Sequence, residues 1–455
     1  MNRIGVVDRL SELPDCLLCE VLLYFPPKEV VKTSAFSRRW RNLWKCVPRL
    51  DLEYGDFPDH EAVLSFLDSF LGFESDSVLQ EFKLKSESFE LKEDEVWGEF
   101  DDAHIPRWIN IVVGNRKVEH LKVLERRYPY DKGLKIPATI YTCESLVTLE
   151  LRDVILHEPS SVSLPHLITI KLEGLAYAND QNFEMLISGC PVLESLYVKR
   201  SPYEDVFVFR VCSQSLLSFT LVGHNDYEMA GDIDAVIDAP KLEYLELFQD
   251  QTSLSIINNL GALVKVDMDT RFNLPYEYRD MLHPNDVPRR KIIRDFLMGI
   301  SSVRDMVISS DTLEIIYDFS RCEQIPIPLF RNLSSLHANF FHNNWEVLPV
   351  FLQSCPNLKT LSLSFSEEDP WEQANDILLG PCRLLPTLEY VQIDKEMKGD
   401  VVAFVKLVSY FLEKSTILKK FTFSLRDFSE EEEHAILKRL LALPRLSSSC
   451  KVVVL

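Results

Sequence analysis

The sequence predicts an α/β chain. A short head of three helices leads into an irregular solenoid of stacked repeats, and a C-terminal region continues the stack. Three features carry that prediction. Residues 14–27, "PDCLLCEVLLYFPP", make a helix-length run with apolar side chains on every face. The pattern L-x-x-L-x-L recurs through the middle of the chain. The last stretch, 376–455, keeps the pattern while alternating strand and helix signals.

Composition sets the frame. The 455 residues are enough for two or three units, and 46% hydrophobic content is that of an ordinary globular protein. Ten cysteines lie scattered without regular spacing, which fits reduced, buried thiols better than a disulfide framework. The formal charge of -21 argues against nucleic-acid binding, which needs a surplus of Lys and Arg. No stretch reaches the roughly 20 consecutive apolar residues of a membrane span. The run at 14–27 is broken by Glu20 and stopped by Pro26 and Pro27, and it lacks the basic approach and small-residue exit of a secretory signal. The expected setting is the cytoplasm, the nucleus or both, with no membrane contact.

In the head, Pro14 suits the first turn of helix one, where a missing N–H costs nothing, and Pro26 ends that helix. Pro27 opens a second short helix through "KEVVKTSA", and "SRRWRNLWK" makes the third, with Ser37 as its cap. Phe36, Trp40 and Leu43 fall at i, i+4 and i+7 with Trp44 beside them, forming one apolar stripe. Helix one leaves no face for water, and a unit of about 40 residues is too small to bury that much surface. The surplus predicts a permanent protein partner. "CLLC" has the spacing of half a zinc site, but no second pair completes it, so Cys16 and Cys19 read as core thiols. Arg38, Arg39, Arg41 and Lys45 read as a solvated face, or as one set against an acidic protein partner.

The stretch "DRLSELPDCLLCEVLLYFPPKEVVKTSAFSRRWRNLWKCVPRLDL" resembles an F-box, the segment that docks onto the small adaptor of SCF ubiquitin ligases. Its landmarks are Leu13-Pro14, the Leu17/Val21/Leu22 helix, Pro26 and the "SRRWRNLW" ending around Trp40. The resemblance implies that Leu13, Pro14, Leu17, Val21, Leu22, Pro26, Val30, Phe36 and Trp40 supply docking or its local core. An SKP-family adaptor would then cover the second face of helix one and lead to a cullin–RING ligase. Phe25-Pro26-Pro27 stands where Leu-Pro-Thr is commoner, and "AFSRRW" where "VLSKRW" is. Both changes keep apolar bulk and charge sign.

Beyond the head, L-x-x-L-x-L starts at residues 146, 167, 193, 216, 242, 263, 358, 388 and 418, with weaker copies at 79, 118 and 303. Most starts lie roughly 21–30 residues apart, the range of leucine-rich repeats. Each copy alternates apolar residues as a half-buried strand does. A strand-turn-helix unit cannot bury its edge alone, so neighbours stack into one parallel sheet with helices or turns outside. The consensus Asn after the strand is mostly missing, so an incomplete asparagine ladder is expected. Between 263 and 303 lies "RFNLPYEYRDMLHPNDVPRRK", rich in turn formers and aromatics, and expected to interrupt the array.

The C-terminal stretch resembles the FBD region found after F-box and leucine-rich repeats in many plant proteins, through "YFLEKSTILKKFTF" and "LPRLSSSCKVVVL". Within it, Ser429 and Glu432 read as a capping box rather than an acidic interaction motif. The final "CKVVVL" is expected to pair at the end of the array and to cover an otherwise sticky edge. The expected domains are an F-box at 8–50, irregular leucine-rich repeats at 51–375 and an FBD at 376–455.

No phosphate-cradling, nucleophile-elbow, dinucleotide or zinc-hydrolase motif is present, so no catalytic residue, cofactor or metal is expected. Three readings stand open: substrate receptor of a ubiquitin ligase, non-proteolytic interaction scaffold, and small-molecule-sensing F-box receptor. For a protein target, the polar slots between strand leucines point at the inner face. Thr148, Glu150, Thr169, Lys171, Ser195, Tyr197, Glu243, Tyr244, Glu246 and Lys265 lie in or beside such slots. Tyr276, Tyr278 and Arg279, in the 272–290 segment, are residue types favoured as hot spots. The expected target-binding set is Tyr197, Tyr244, Glu246, Tyr276, Tyr278 and Arg279.

Overall fold

The computed structural model describes residues 10, 12–73, 78–87, 104–126, 134–177, 180–200, 206, 208–223, 234–250, 252–256, 260–274, 282, 286–321, 326–340, 347–365, 385–393, 401–425 and 429–455. The chain divides into two compact units, Met1–Val206 and Phe207–Leu455.

Unit one opens with the head. Helix α1 (Asp15–Leu22) buries Leu18, Cys19 and Leu22, and α2 (Pro27–Lys32) buries Val30. Pro14 stands at the N-cap, one place before the first turn, and Pro27 opens α2 as expected. The third helix is a 3-10 helix, Trp40–Cys46, without a side-chain cap, so Ser37 does not cap it. At three residues per turn Trp40 and Leu43 eclipse, and both turn inward with Trp44. Arg39, just before it, reaches back to Asp15 at 2.6 Å and to the Leu13 carbonyl, tying the third helix to the start of the first. The apolar stripe is split: Phe36 is 72% exposed, while Trp40 and Leu43 are buried. Cys16 is also exposed, because the buried side of α1 is taken by its neighbours at 18, 19 and 22.

Trp44 fastens the head to the start of the array. Its ring stacks on Phe66 at 5.2 Å, within α3 (His60–Leu71), which Asp59 caps by accepting the Ala62 N–H. Two more helices belong to unit one, α4 (His104–Gly114) and α5 (Asp180–Ser188). Its strands are β1 (Arg49–Glu53), β2 (Glu81–Glu87), β3 (His120–Arg126), β4 (Leu134–Ile136) and β5 (Thr148–Arg152). They continue as β6 (Val154–Leu156), β7 (Thr169–Glu173), β8 (Ala176–Tyr177) and β9 (Ser195–Lys199). All pairs are parallel, in the order β1-β2-β3-β5-β7-β9. A second, smaller sheet holds β4, β6 and β8, where the repeat pattern predicts turns or helices.

Unit two repeats the plan. Its strands start with β10 (Val208–Cys212), β11 (Ser218–Val222), β12 (Asp234–Asp238), β13 (Tyr244–Asp250), β14 (Ser253–Ile256) and β15 (Lys265–Thr270). Then come β16 (Asp305–Ile308), β17 (Ser335–Phe340), β18 (Thr360–Phe365), β19 (Tyr390–Ile393), β20 (Lys420–Phe423) and β21 (Lys451–Val454). From β11 the parallel order runs β13, β15 and then β16 to β21 in turn. The C-terminal strands therefore continue the same sheet beyond β18, as the recurring pattern predicts. The helices are α6 (Val287–Gly299), α7 (Ser310–Ser320), α8 (Val347–Gln353), α9 (Val401–Lys414) and α10 (Glu430–Ala442). Strands β10, β12 and β14 form a second small sheet.

The 272–290 segment does not interrupt the array, because β15 pairs directly with β16, Lys265 opposite Asp305. Phe272, Leu274, Leu282 and Arg290 within it are core, each at most 3% exposed. Arg290 donates to the carbonyls of Asp318, Phe319 and Leu282, closing the C-terminal end of α7.

A polar ladder exists, displaced to the entry side of the strands. In several repeats the residue before the first apolar position bonds a carbonyl of the preceding repeat. Ser145 donates to Val118, Ser302 to Leu260, Asn332 to Ser302, Asn357 to Arg331 and Thr387 to Pro356. Small hydroxyl and amide side chains thereby give these turn carbonyls a partner within the chain.

Candidate functional site

Two surfaces answer to the sequence reading. On the head, the nine residues expected to supply docking separate by exposure. Leu22, Val30 and Trp40 are buried and hold the helices together. Pro14, Leu17, Val21 and Phe36 are exposed, as is Pro26, and Leu13 is half-buried. Leu17 and Val21, at i and i+4 on α1, stand 49% and 36% exposed beside the buried Leu18–Leu22 stripe. Helix one is thus covered on one apolar face and bare on the next. Tyr24 and Phe25, 90% and 52% exposed, extend the bare face toward Pro26, and the docking set expected from the sequence omits them. The all-round apolar character of the run is the signal that points to them. Next to this face a cleft of ≈ 200 Å³ is lined by Leu22, Phe25, Pro26, Val30, Trp44 and Phe66 among others.

The second surface is the solvent side of the strands, where alternate positions escape burial. In unit one it is closed by ion pairs between adjacent strands. Arg49 meets Glu81, Lys83 meets Asp51, and Lys122 meets Glu81, each at 3.0 Å. Lys171 sits between Glu150 at 3.1 Å and Glu173 at 2.9 Å, and Arg152 reaches Glu173 at 2.6 Å. Burial of Glu173 would raise its pKa. Hydrogen bonds from Lys171 and Arg152 outweigh that and hold the carboxyl below its ordinary value. Burial would likewise lower the Lys171 pKa, and the two carboxylates raise it instead. The Lys171 ammonium also lies 5.4 Å from the centre of the Tyr197 ring, so Tyr197 is engaged by its own neighbour strand.

Unit two differs. Glu246 and Asp267 stand directly opposite in register, with Asp269 two places on. Thr220 donates to Glu246 at 3.0 Å, and Lys265 lies over the Tyr244 ring at 5.5 Å. Burial, then the Glu246 charge, raises the Asp267 pKa above the ordinary carboxylate value. Burial and the same Glu246 push Tyr244 up to about 12. Tyr244 and Glu246 therefore do meet in space, on one strand. Tyr276, Tyr278 and Arg279 lie outside the described residues.

Among the described residues no cluster of His, Cys, Asp and Glu has the makings of a metal site, and no helix is long and apolar enough to cross a membrane. Burial pushes the Cys190 and Cys355 thiols up to about 12, so both stay protonated. A second cleft, also ≈ 200 Å³, is lined by Pro349, Leu352, Cys355, Leu385, Leu388 and Tyr410. Both clefts are smaller than the roughly 300 Å³ at which small-molecule sites begin.

Comparison with known families fits this geometry region by region. An F-box domain model matches residues 10–51, and an FBD model matches 380–423. A model described as "FBD-associated F-box protein At5g56370, LRR repeats" matches 105–266. "F-box/LRR-repeat protein 13" of Arabidopsis thaliana is 51% identical over 452 residues, covering 99% of this chain and 96% of its own. The chain belongs to the plant F-box/LRR-repeat/FBD family. "FBD-associated F-box protein At4g13985" of the same plant is likewise 51% identical, over 459 residues, covering 99% and 96%. A third Arabidopsis relative, "F-box/FBD/LRR-repeat protein At1g78750", is 48% identical over 456 residues, with the same coverage. The bare face of α1 is thus the face of an F-box, and the ion-paired sheet of unit one lies largely within the leucine-rich repeats.

Proposed function

We propose that this F-box protein is the substrate receptor of an SCF-type, cullin–RING ubiquitin ligase, docking an SKP-family adaptor through the head and a target protein through the repeats. It contributes no catalytic group. Tethering raises the effective concentration of target lysines near the charged conjugating enzyme. The observation that carries the reading is the second apolar stripe of α1, Leu17 and Val21 with Tyr24 and Phe25, left uncovered in a helix whose other face is fully packed. A monomer rarely exposes such a contiguous patch without a partner.

The target surface in this reading is the polar side of the unit-two strands around Tyr244 and Glu246, where Glu246 faces Asp267 across the strand pair. The test is co-purification with the adaptor. Leu17→Ala and Val21→Ala should each weaken the complex by about 2 kcal/mol if they are hot spots, roughly 30-fold per site. Leu22→Ala should instead lower the melting temperature, because Leu22 is core. Undiminished adaptor capture by the Leu17→Ala/Val21→Ala double variant would sink the assignment. Proteins that accumulate when the chain is depleted, and that a head-deleted chain still captures, would be its targets. Capture without accumulation would favour a scaffold.

A further inference from the structure

We propose that the C-terminal end of unit two is a self-association surface, in which β21 pairs antiparallel with β21 of a second copy and α10 packs against its counterpart. Strand β21 has one neighbour among the described residues, β20. The Lys451 N–H donates to Lys419 and the Leu455 N–H to Phe423, so the odd-numbered amides face inward. By the alternation of a parallel ladder the Val452 and Val454 amides face outward. An open run of "KVVVL" with high strand propensity is a ready template for another strand. The helix that precedes it, α10, buries Ile436 and Leu440 but leaves Leu437 40% and Leu441 82% exposed, and Val454 and Leu455 are exposed as well.

Charge decides that the occupant is a second copy. Helix α10 returns between two parallel strands and so runs opposite to them. Its acidic first turn, Glu430 to Glu433, therefore lies at the C-terminal end of β20 and β21. Lys438 and Arg439 lie toward the other end, where Lys420 stands opposite Lys451. Glu430, Glu431, Glu433, Lys438 and Arg439 form no ion pair among the described residues. The end of the sheet is thus acidic at one side and basic at the other. A two-fold axis beside β21 brings the acidic side of each copy against the basic side of the other, while the two open edges meet antiparallel. A parallel pairing would set like charges together.

Sedimentation velocity of the full-length chain tests this over a concentration series. Wild type should show a monomer–dimer equilibrium that weakens with salt. Val452→Pro removes an outward amide and no ladder bond, so it should keep the melting curve and raise the dimer dissociation constant at least about tenfold. Leu441→Glu should do the same. Reversing the acidic turn (Glu430→Lys/Glu431→Lys) and reversing the basic pair (Lys438→Glu/Arg439→Glu) should each abolish self-association. Mixing those two variants should restore a heterodimer, because each mismatched end then meets its complement. A chain that remains monomeric throughout overturns the proposal. So does association that survives Val452→Pro and Leu441→Glu, which would place it on another surface such as the head. Failure of the two charge variants to complement would reject the antiparallel arrangement.

Discussion

The solvent side of the sheet in unit one and that in unit two are built from the same repeat, yet they treat charge in opposite ways. In unit one each strand places its charges against opposite charges on the next, as with Asp51 and Lys83 or Glu150 and Lys171. In unit two the corresponding row places Glu246 against Asp267; burial and then Glu246 raise the Asp267 pKa against the opposing pull of Lys265 and His337, and Lys265 also lies over Tyr244. Opposite charges across a strand pair stabilise and like charges destabilise, each by a fraction of a kcal/mol to about one. The first surface is satisfied by its own chain; the second is left with negative charge that a basic partner would neutralise. In the proposed function, this difference in cross-strand charge is what assigns the target to the second surface and a scaffold role to the first.

The largest expected effect comes from breaking the closed surface. Lys171→Met removes the cation shared by Glu150 and Glu173, whose side chains are 19% and 13% exposed. The cost should be about 1–2 kcal/mol, between the values for exposed and buried pairs, read by urea or thermal unfolding. Its pH dependence has a definite sign. Glu173 is held below its unfolded value, so its contribution is complete above the unfolded carboxyl pKa and is lost as pH falls through the folded one. Wild type and Lys171→Met should therefore converge in acid. A gap that stays constant through that range would mean Lys171 acts by packing alone.

A smaller effect of opposite sign is expected in unit two. Asp267→Asn removes one of two facing carboxylates and should raise stability by up to about 1 kcal/mol near neutral pH. Because the folded pKa of Asp267 lies above the unfolded one, the wild type gains stability as pH falls through that raised value. The advantage of the variant should fade over the same interval. If Asp267→Asn destabilised the chain at neutral pH, the row would not be strained, and the contrast between the two units would fail. The same variant should weaken target capture if negative charge is what the target reads.

Much of the fold is legible in the sequence because it depends on period. Helix one shows itself by apolar residues on every face, and strands such as Thr148–Arg152 by leucines at fixed offsets. The features that escape depend on contacts the pattern does not encode. Strand Ser335–Phe340 is not picked out because Ala338 stands where the pattern starting at Leu333 requires its third leucine. The 3-10 form of Trp40–Cys46 is one such feature, since an apolar spacing of i, i+4 and i+7 reads as an α-helix. Residues 272–290 read as an interruption because composition shows turn formers, whereas the burial of Phe272, Leu282 and Arg290 comes from distant partners such as Phe296 and Phe319. The ion pairs lie between. Glu150 and Lys171 read as part of a mixed-charge strip, but their pairing emerges once the repeats are aligned in register, 21 residues apart.

The smallest expected effect lies further along the sheet of unit two, where Lys419 meets Glu389 at 2.5 Å and lies 5.8 Å from the Tyr390 ring. By distance this pair looks as strong as any in unit one. The hydrogen bond between them lowers the Glu389 pKa and raises that of Lys419. Exposure sets it apart: the Lys419 side chain is 55% exposed, so water and salt screen the attraction, and holding a long side chain in place costs entropy. Lys419→Ala should leave the unfolding midpoint unchanged within error, at low and high ionic strength alike. A loss as large as that of Lys171→Met would show that distance, and not burial, sets the worth of these cross-strand pairs. The division into a self-satisfied sheet and an unsatisfied one would then have to be drawn again from distances alone.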